Sequence, residues 1–296
     1  MADSDLQPLL SSMRSDVEEA LDRFLPTAET PPRRLHEAMR HSVFSGGKRL
    51  RPILALLACE VSGGVREVAM APACATELVH TYSLIHDDLP SMDDDELRRG
   101  RPTCHVAFDE ATAILAGDAL LTLAFELAVH EGSIPAELRA RTVTVLAQAN
   151  GSGGMVGGQA ADMSGEGQDA TEELVNFIHR RKTAMPIEAA VRIGALAAGA
   201  SEGVTAALTS YGRSIGLAFQ IADDLLDLTG TAEEMGKAVG KDADAGKITY
   251  PAAVGVERAR RRAAELIEEA VDAVEPFGEA AWALRSIARY IVGRRS

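Results

Sequence analysis

The chain has 296 residues, 46% of them hydrophobic and only 4% aromatic, with 44 acidic against 30 basic side chains and a formal net charge of −14. That apolar content supplies a sizeable core, and the acidic excess argues against nucleic acid or an anionic membrane as the main partner. Three cysteines, Cys59, Cys74 and Cys104, show neither a disulfide framework nor metal-ligand spacing, which fits a reducing compartment.

The opening residues lack the basic and apolar regions of a secretory signal, so a soluble, cytoplasmic protein is expected. Leu9, Leu10, Met13, Val17, Leu21 and Phe24 recur at helical spacing and predict an amphipathic helix over residues 6–25. Pro31 and Pro32 start a second helix, ended by Ser45-Gly46-Gly47. Pro52 stands in the first turn of a third, which carries residues 53–61. A long helix adjusted at Pro72 runs toward Asp87 and Asp88, and residues 98–103, with Gly100 and Pro102, read as a loop. Further helices are expected over residues 111–130, 135–163, 171–199, 205–228, 251–274 and 280–292. Residues 191–200 are apolar but too short to span a bilayer, so no stable membrane insertion is expected. With no long alternating stretch and no low-complexity linker, the simplest fold is one all-α domain.

Two aspartate clusters interrupt this apolar pattern. Asp87, Asp88 and Asp93 are interleaved with Leu84, Ile85, Leu89 and Met92; Asp223, Asp224 and Asp227 are interleaved with Ile221, Leu225 and Leu226. Carboxylates packed this closely repel one another and are costly to desolvate without a counter-charge. Divalent cations on oxygen ligands are the usual remedy, and Mg²⁺ is held by one or two carboxylates plus substrate phosphates. Gln220, Asp223, Asp224 and Asp227 stand at i, i+3, i+4 and i+7, one stripe of a helix. The first cluster is less regular, since Pro90 before Asp93 implies a local distortion.

Basic residues accompany both clusters. Arg98, Arg99 and Arg101 follow the first and either balance its charge or grip a polyphosphate. Gly46-Gly47-Lys48-Arg49-Leu50-Arg51-Pro52 is not a P-loop, because the glycine spacing and the Ser/Thr are absent; a solvated basic turn and a phosphate grip both remain open. Lys237, Lys241 and Lys247 follow the second cluster. The run Gly151-Ser152-Gly153-Gly154-Met155-Val156-Gly157-Gly158 has no preceding strand, so close helix packing is expected rather than a phosphate loop.

Taken together, Gly46-Gly47-Lys48-Arg49-Leu50-Arg51-Pro52, Ser83-Leu84-Ile85-His86-Asp87-Asp88-Leu89-Pro90-Ser91-Met92-Asp93-Asp94-Asp95, Lys182-Thr183 and Phe219-Gln220-Ile221-Ala222-Asp223-Asp224-Leu225-Leu226-Asp227 resemble the short-chain trans-isoprenyl diphosphate synthases, over nearly the whole chain. The resemblance implies a helical bundle around a deep central cavity, the isoprenoid synthase fold, usually as a homodimer. It implies several Mg²⁺ ions, with Mn²⁺ an alternative. Asp87, Asp93 and Asp223 would be direct ligands, and Asp88, Asp224 and Asp227 would ligate or orient. It places Arg98, Lys182 and Lys237 on an allylic diphosphate and Lys48, Arg51, His80 and Arg99 on isopentenyl diphosphate, with Lys247 also in the substrate site. Thr183 and Gln220 would offer oxygen dipoles to an allylic cation, with Gln159 and Asp162 behind them. From its residues alone, His80 reads rather as a core histidine.

Helical arithmetic puts Ser83 and Val79 beneath Asp87, at about 5.4 Å per turn. Tyr82 lies off that stripe, and only the resemblance makes it a cavity floor, the feature that goes with a farnesyl product; geranylgeranyl diphosphate is the alternative. A ferritin-like oxidase would need two Glu-x-x-His motifs, and only Glu77-Leu78-Val79-His80 fits. A terpene cyclase would not need Lys48, Arg51 and Arg99, and a non-catalytic partner subunit would not need both Asp clusters.

Overall fold

The computed structural model describes residues 5–130, 134–229 and 247–293. Its helices are α1 (Leu6–Phe24), α2 (Arg33–Val43), α3 (Leu50–Val61), α4 (Arg66–Asp87), α5 (Cys104–Ala107), α6 (Glu110–Ala128), α7 (Ala136–Asn150), α8 (Met155–Gly165), α9 (Glu172–His179), α10 (Met185–Ala197) and α11 (Glu202–Thr229). After residues outside the description come α12 (Tyr250–Val254), α13 (Val256–Val274) and α14 (Trp282–Gly293). The described residues form an all-α bundle, as the apolar periodicity predicts.

Helix α10 is the axis. Its sequence, Met-Pro-Ile-Glu-Ala-Ala-Val-Arg-Ile-Gly-Ala-Leu-Ala, offers small apolar residues on every side, and nearly all are buried. It packs on α3, α4, α7 and α11, and α11 in turn packs along α13. A helix apolar on nearly every side, with Glu188 paired to Arg180, belongs at the centre of a layered helical core. Helix α6 is also strongly apolar, long enough by length and composition to cross a membrane. Its inner face lies on α4 and α2, while Ile114 and Leu115 on the other side are 44% and 57% exposed.

Five elements differ from expectation, among them the helix over 251–274, which is two, α12 and α13, parted at Gly255 with φ 85. The single helix expected over 135–163 is two, α7 and α8, parted at Gly151–Gly154, because glycines without side-chain support do not sustain a helix interior. The helix over 171–199 carries a π-helical segment at Arg180–Ala184, and the extra residue in that turn re-aims Lys182 and Thr183. Residues 98–103 contain all but the first residue of a minimal hairpin, Leu97–Arg98 (β1) paired with Arg101–Pro102 (β2), whose turn places Arg99 and Gly100 at positive φ. The last helix begins at Trp282, after a 3₁₀ stretch at Glu275–Ala281.

Candidate active site

Helix α4 delivers Asp87 and Asp88 at its C-terminal end. Beyond it the chain folds back on itself: the amide of Asp93 donates to the Asp87 carbonyl at 2.8 Å and that of Asp95 to the Asp88 carbonyl at 3.2 Å. This return, with Asp94 at positive φ, is the distortion that Pro90 foreshadowed, and it brings Asp93 back beside Asp87. Asp88 is buried and held by a fork from Arg98, whose Nε lies 2.7 and 3.0 Å from its two oxygens.

A cleft of about 530 Å³ opens between the end of α4, α8, the π segment and α11. Asp87 and Asp223 both line it, so the two acidic clusters share one cavity. Arg51, His80, Arg98, Arg99, Lys182, Thr183 and Gln220 line it as well. The remaining wall is largely apolar, with Tyr82, Met155, Val156, Met163 and Phe219. A charged mouth with a hydrocarbon-compatible interior suits an amphiphilic ligand with a polyanionic head.

The basic residues are already engaged. Lys182 Nζ donates to Asp162 at 2.6 Å, and Lys247 Nζ reaches Asp93 at 3.3 Å. Lys182 is where it is because Gly158 of α8 lies against its backbone; a Cβ there would come within 2.4 Å of the Lys182 nitrogen. That is the close helix packing expected of the glycine run. Arg99 donates to the Gly46 carbonyl and covers Gly47, which sits at φ 130 with no room for a side chain. Arg51 Nε is buried without a hydrogen-bond partner, and burial lowers the pKa of this guanidinium. Loss of solvent, with Arg51, Arg99, Arg98 and Arg49 nearby, drives the half-buried His80 imidazole well below its usual range, so it stands as a neutral ring. Lys48 is exposed on the loop before α3 and is not part of the cleft wall; Lys237 and Lys241 lie outside the described residues.

The second cluster divides. Gln220 and Asp223 face the cleft, whereas Asp224 and Asp227 are buried behind it at 5% and 3% exposure. A stripe of i, i+3, i+4 and i+7 covers a broad arc of a helix, and the rim of the cleft runs through that arc. Both oxygens of Asp224 are taken by protein donors: Gln220 Nε2 at 2.9 Å and the Tyr250 amide at 2.7 Å. Of the two roles the sequence left open for it, ligating and orienting, this geometry favours orienting.

Among the described residues no three His, Cys, Asp or Glu side chains converge into a ready-made metal cage. The residues nonetheless fit Mg²⁺. Burial, with the neighbouring Asp93 and Asp88, pushes the Asp87 carboxyl up to about 6 despite the counter-pull of Lys182 and Arg98, and Asp227 Oδ1 is a buried acceptor without a partner. Carboxylates that face one cleft, one of them strained by burial, suit a cation whose coordination is completed by ligand phosphates rather than by protein alone.

Several contributors were not found from the sequence. Met155 and Met163 line the cleft at i and i+8, with the already expected Gln159 between them at i+4, a helical stripe hidden by the glycine run beside it. Asp162 was assigned behind the cation site, and the structure gives it to Lys182. Tyr82, off the stripe beneath Asp87, still reaches the cleft and meets His86 edge-on with ring centroids 5.7 Å apart. Ser83 lines the cleft, whereas Val79 is a core residue. Arg49 is also a core residue: it bonds Glu77 at 2.7 Å and the Val43 carbonyl at 2.6 Å, anchoring the Gly46–Arg51 turn. A second cavity, of about 560 Å³, lies between α1, the start of α4 and the end of α6; among its charges Arg66 pairs with Asp16 at 3.6 Å and Arg23 with Glu19 at 2.6 Å.

The family model described as Polyprenyl synthetase matches residues 32–283. A curated relative named dimethylallyltranstransferase, from Fischerella ambigua, is 47% identical over 98% of this chain and 84% of its own length. A geranylgeranyl diphosphate synthase of Cyanophora paradoxa is 45% identical over 99% of this chain and 97% of its own. Among solved structures, an FPP/GFPP synthase from Zymomonas mobilis superposes with a TM-score of 0.87 at 39% identity, covering 98% of this chain and all of that one.

Proposed function

The chain belongs to the polyprenyl synthetase family and is a prenyltransferase, and from that premise we propose that it joins isopentenyl diphosphate head-to-tail to dimethylallyl or geranyl diphosphate. The observation that carries this reading is the single cleft lined by Asp87 and Asp223 at its charged mouth and by apolar side chains within. Asp87, Asp93 and Asp223 would hold Mg²⁺, which when bound supplies positive charge to a departing diphosphate.

The chain's own residues do the rest. Lys182 turns from Asp162 toward the allylic diphosphate, and Arg98 presents the guanidinium face not used on Asp88. Arg51, with its orphaned Nε, receives isopentenyl diphosphate beside Arg99 and the neutral His80. Breaking the allylic C–O bond leaves a cation, which the oxygens of Thr183 and Gln220 stabilise. The isopentenyl double bond closes on that cation, and the proton then lost passes to the departed diphosphate. An assay with Mg²⁺, isopentenyl diphosphate and each allylic primer tests the reading. Elongated product is expected only when both substrates are present; consumption of the primer alone would favour a cyclase.

The product proposed is farnesyl diphosphate, on the ground that Tyr82, 6% exposed, forms part of the apolar wall. Tyr82→Ala is expected to shift the product toward longer chains, read by chromatography. An unchanged product would remove Tyr82 as the stop. The second reading is geranylgeranyl diphosphate, favoured by the names of several curated relatives at about 45% identity. A C20 product from the unaltered protein would select it.

Exposed apolar residues on α5, α6 and the α6 cap support a homodimer, a second copy covering Val106, Ile114, Leu115 and Val129. Leu115→Glu with Ile114→Glu should convert a dimer to a monomer by light scattering; a monomeric parent protein would refute this assembly.

A further inference from the structure

Behind the cleft, four residues from three elements form one directed hydrogen-bond chain, with a histidine from a fourth beside it. Thr183 Oγ1 of the π segment donates to Gln220 Oε1 of α11 at 2.7 Å. Gln220 Nε2 donates to Asp224 Oδ1, one turn further along, at 2.9 Å. Asp224 Oδ2 accepts from the amide of Tyr250, the first residue of α12, at 2.7 Å, and His179 Nε2 at the end of α9 lies 3.2 Å from the same oxygen. The His179 ring also stacks on that of Tyr250, with centroids 6.0 Å apart. Thr183 and Gln220 line the cleft; Asp224, His179 and Tyr250 do not.

The chain has only one sense. A carboxylate accepts and cannot donate, so the Gln220 amide must turn its NH₂ toward Asp224 and its carbonyl oxygen the other way. That oxygen then draws the single hydrogen of Thr183, which leaves the hydroxyl's lone pairs for the cleft. We propose that Asp224 is a positioning residue, anchored by the Tyr250 amide and His179, which fixes the Gln220 amide and the Thr183 hydroxyl so that oxygen dipoles rather than N–H or O–H groups meet the cleft. The proposal rests on the prenyl-transfer reading, in which positive charge develops there. A preset dipole of the right sign costs no reorganisation when that charge appears, whereas an amide free to flip would present its positive end in part of the population.

Asp224→Asn keeps the size but offers only one acceptor oxygen, so it cannot serve Gln220 and the Tyr250 amide together. The variant is expected to lose about 10- to 100-fold in kcat, with KM for both diphosphates and the Mg²⁺ concentration for half-maximal rate within a factor of about three of the parent's. Binding of an ammonium analogue of the allylic cation, measured by calorimetry with diphosphate present, should weaken about 10-fold, and that of its neutral isostere should not. Combining Asp224→Asn with Gln220→Glu puts an acceptor-only group beside Thr183 and a donor at Asn, restoring the sense of the chain; it should recover much of the rate lost by Asp224→Asn. Circular dichroism and melting of each variant separate these effects from misfolding. A shifted Mg²⁺ requirement for Asp224→Asn, or no rescue in a folded double variant, would overturn the positioning role. Absence of isopentenyl-dependent turnover in the parent protein would instead reject the prenyl-transfer reading beneath it.

Discussion

Asp87→Asn is expected to reduce turnover by at least about 10²–10³-fold and, in the metal-free protein, to raise the melting temperature at pH 7.5. Both effects have one origin. Burial, with Asp93 and Asp88 nearby, holds the Asp87 carboxyl at about 6, above the carboxylate's ordinary value of 3.8. The fold therefore prefers its protonated form. As pH rises from about 4 to about 6, the folded protein must give up a proton it holds more tightly than the unfolded chain does, and stability falls on the order of 2–3 kcal/mol. Asparagine carries no such charge. Its advantage should be small near pH 4, grow through pH 5 and 6, and be complete above 7. Melting curves of parent and variant across that range, without divalent cations, measure the difference. An offset independent of pH would mean that the Asp87 charge is not strained. Addition of Mg²⁺ with inorganic diphosphate should stabilise the parent and leave the variant nearly unmoved, because a ligand stabilises only the state that binds it.

Glu77→Ala is expected to cost about 3–5 kcal/mol of folding stability, because it strands a buried guanidinium. Arg49 and Glu77 side chains are 1% and 3% exposed and lie 2.7 Å apart, and Arg49 also ties to the Val43 carbonyl at the end of α2. Among the described residues, Glu18, 3.5 Å from its Nε, is then the acidic side chain left paired with that charge. The turn that Arg49 anchors carries Gly46 and Gly47, on which Arg99 rests, so isopentenyl diphosphate binding should weaken too. Urea unfolding gives the first effect and KM for that substrate the second. The pair Arg49→Met with Glu77→Leu should unfold at higher urea than Glu77→Ala alone, since an apolar pair leaves no orphaned charge. If Glu77→Ala unfolds at the same urea concentration as the parent, the pair does not hold this turn.

Arg49 also shows where sequence reading stops. Its neighbours Lys48 and Arg51 share its charge and its motif, yet Lys48 is exposed, Arg51 lines the cleft and Arg49 is core. Nothing in Gly-Gly-Lys-Arg-Leu-Arg-Pro separates the three, because the separation comes from Glu77, an element away. The same holds at the second cluster, where Asp223 and Asp224 are adjacent and chemically identical, but the rim of the cleft passes between them and Tyr250 claims the second.

The sequence by itself determined the helical class, the presence of two carboxylate clusters in apolar frames, and the expectation that cations and a polyphosphate would meet there. These follow from periodicity and from the cost of crowding like charges, both of which act over a few residues. Only the tertiary structure decided which carboxylates face the cleft, that Asp162 rather than a cluster aspartate holds Lys182, and that Tyr82 reaches a wall its helical stripe would not give it. Those outcomes depend on how α4, α8, the π segment and α11 approach one another, a distance set by packing between segments far apart in the chain and carried by no local pattern.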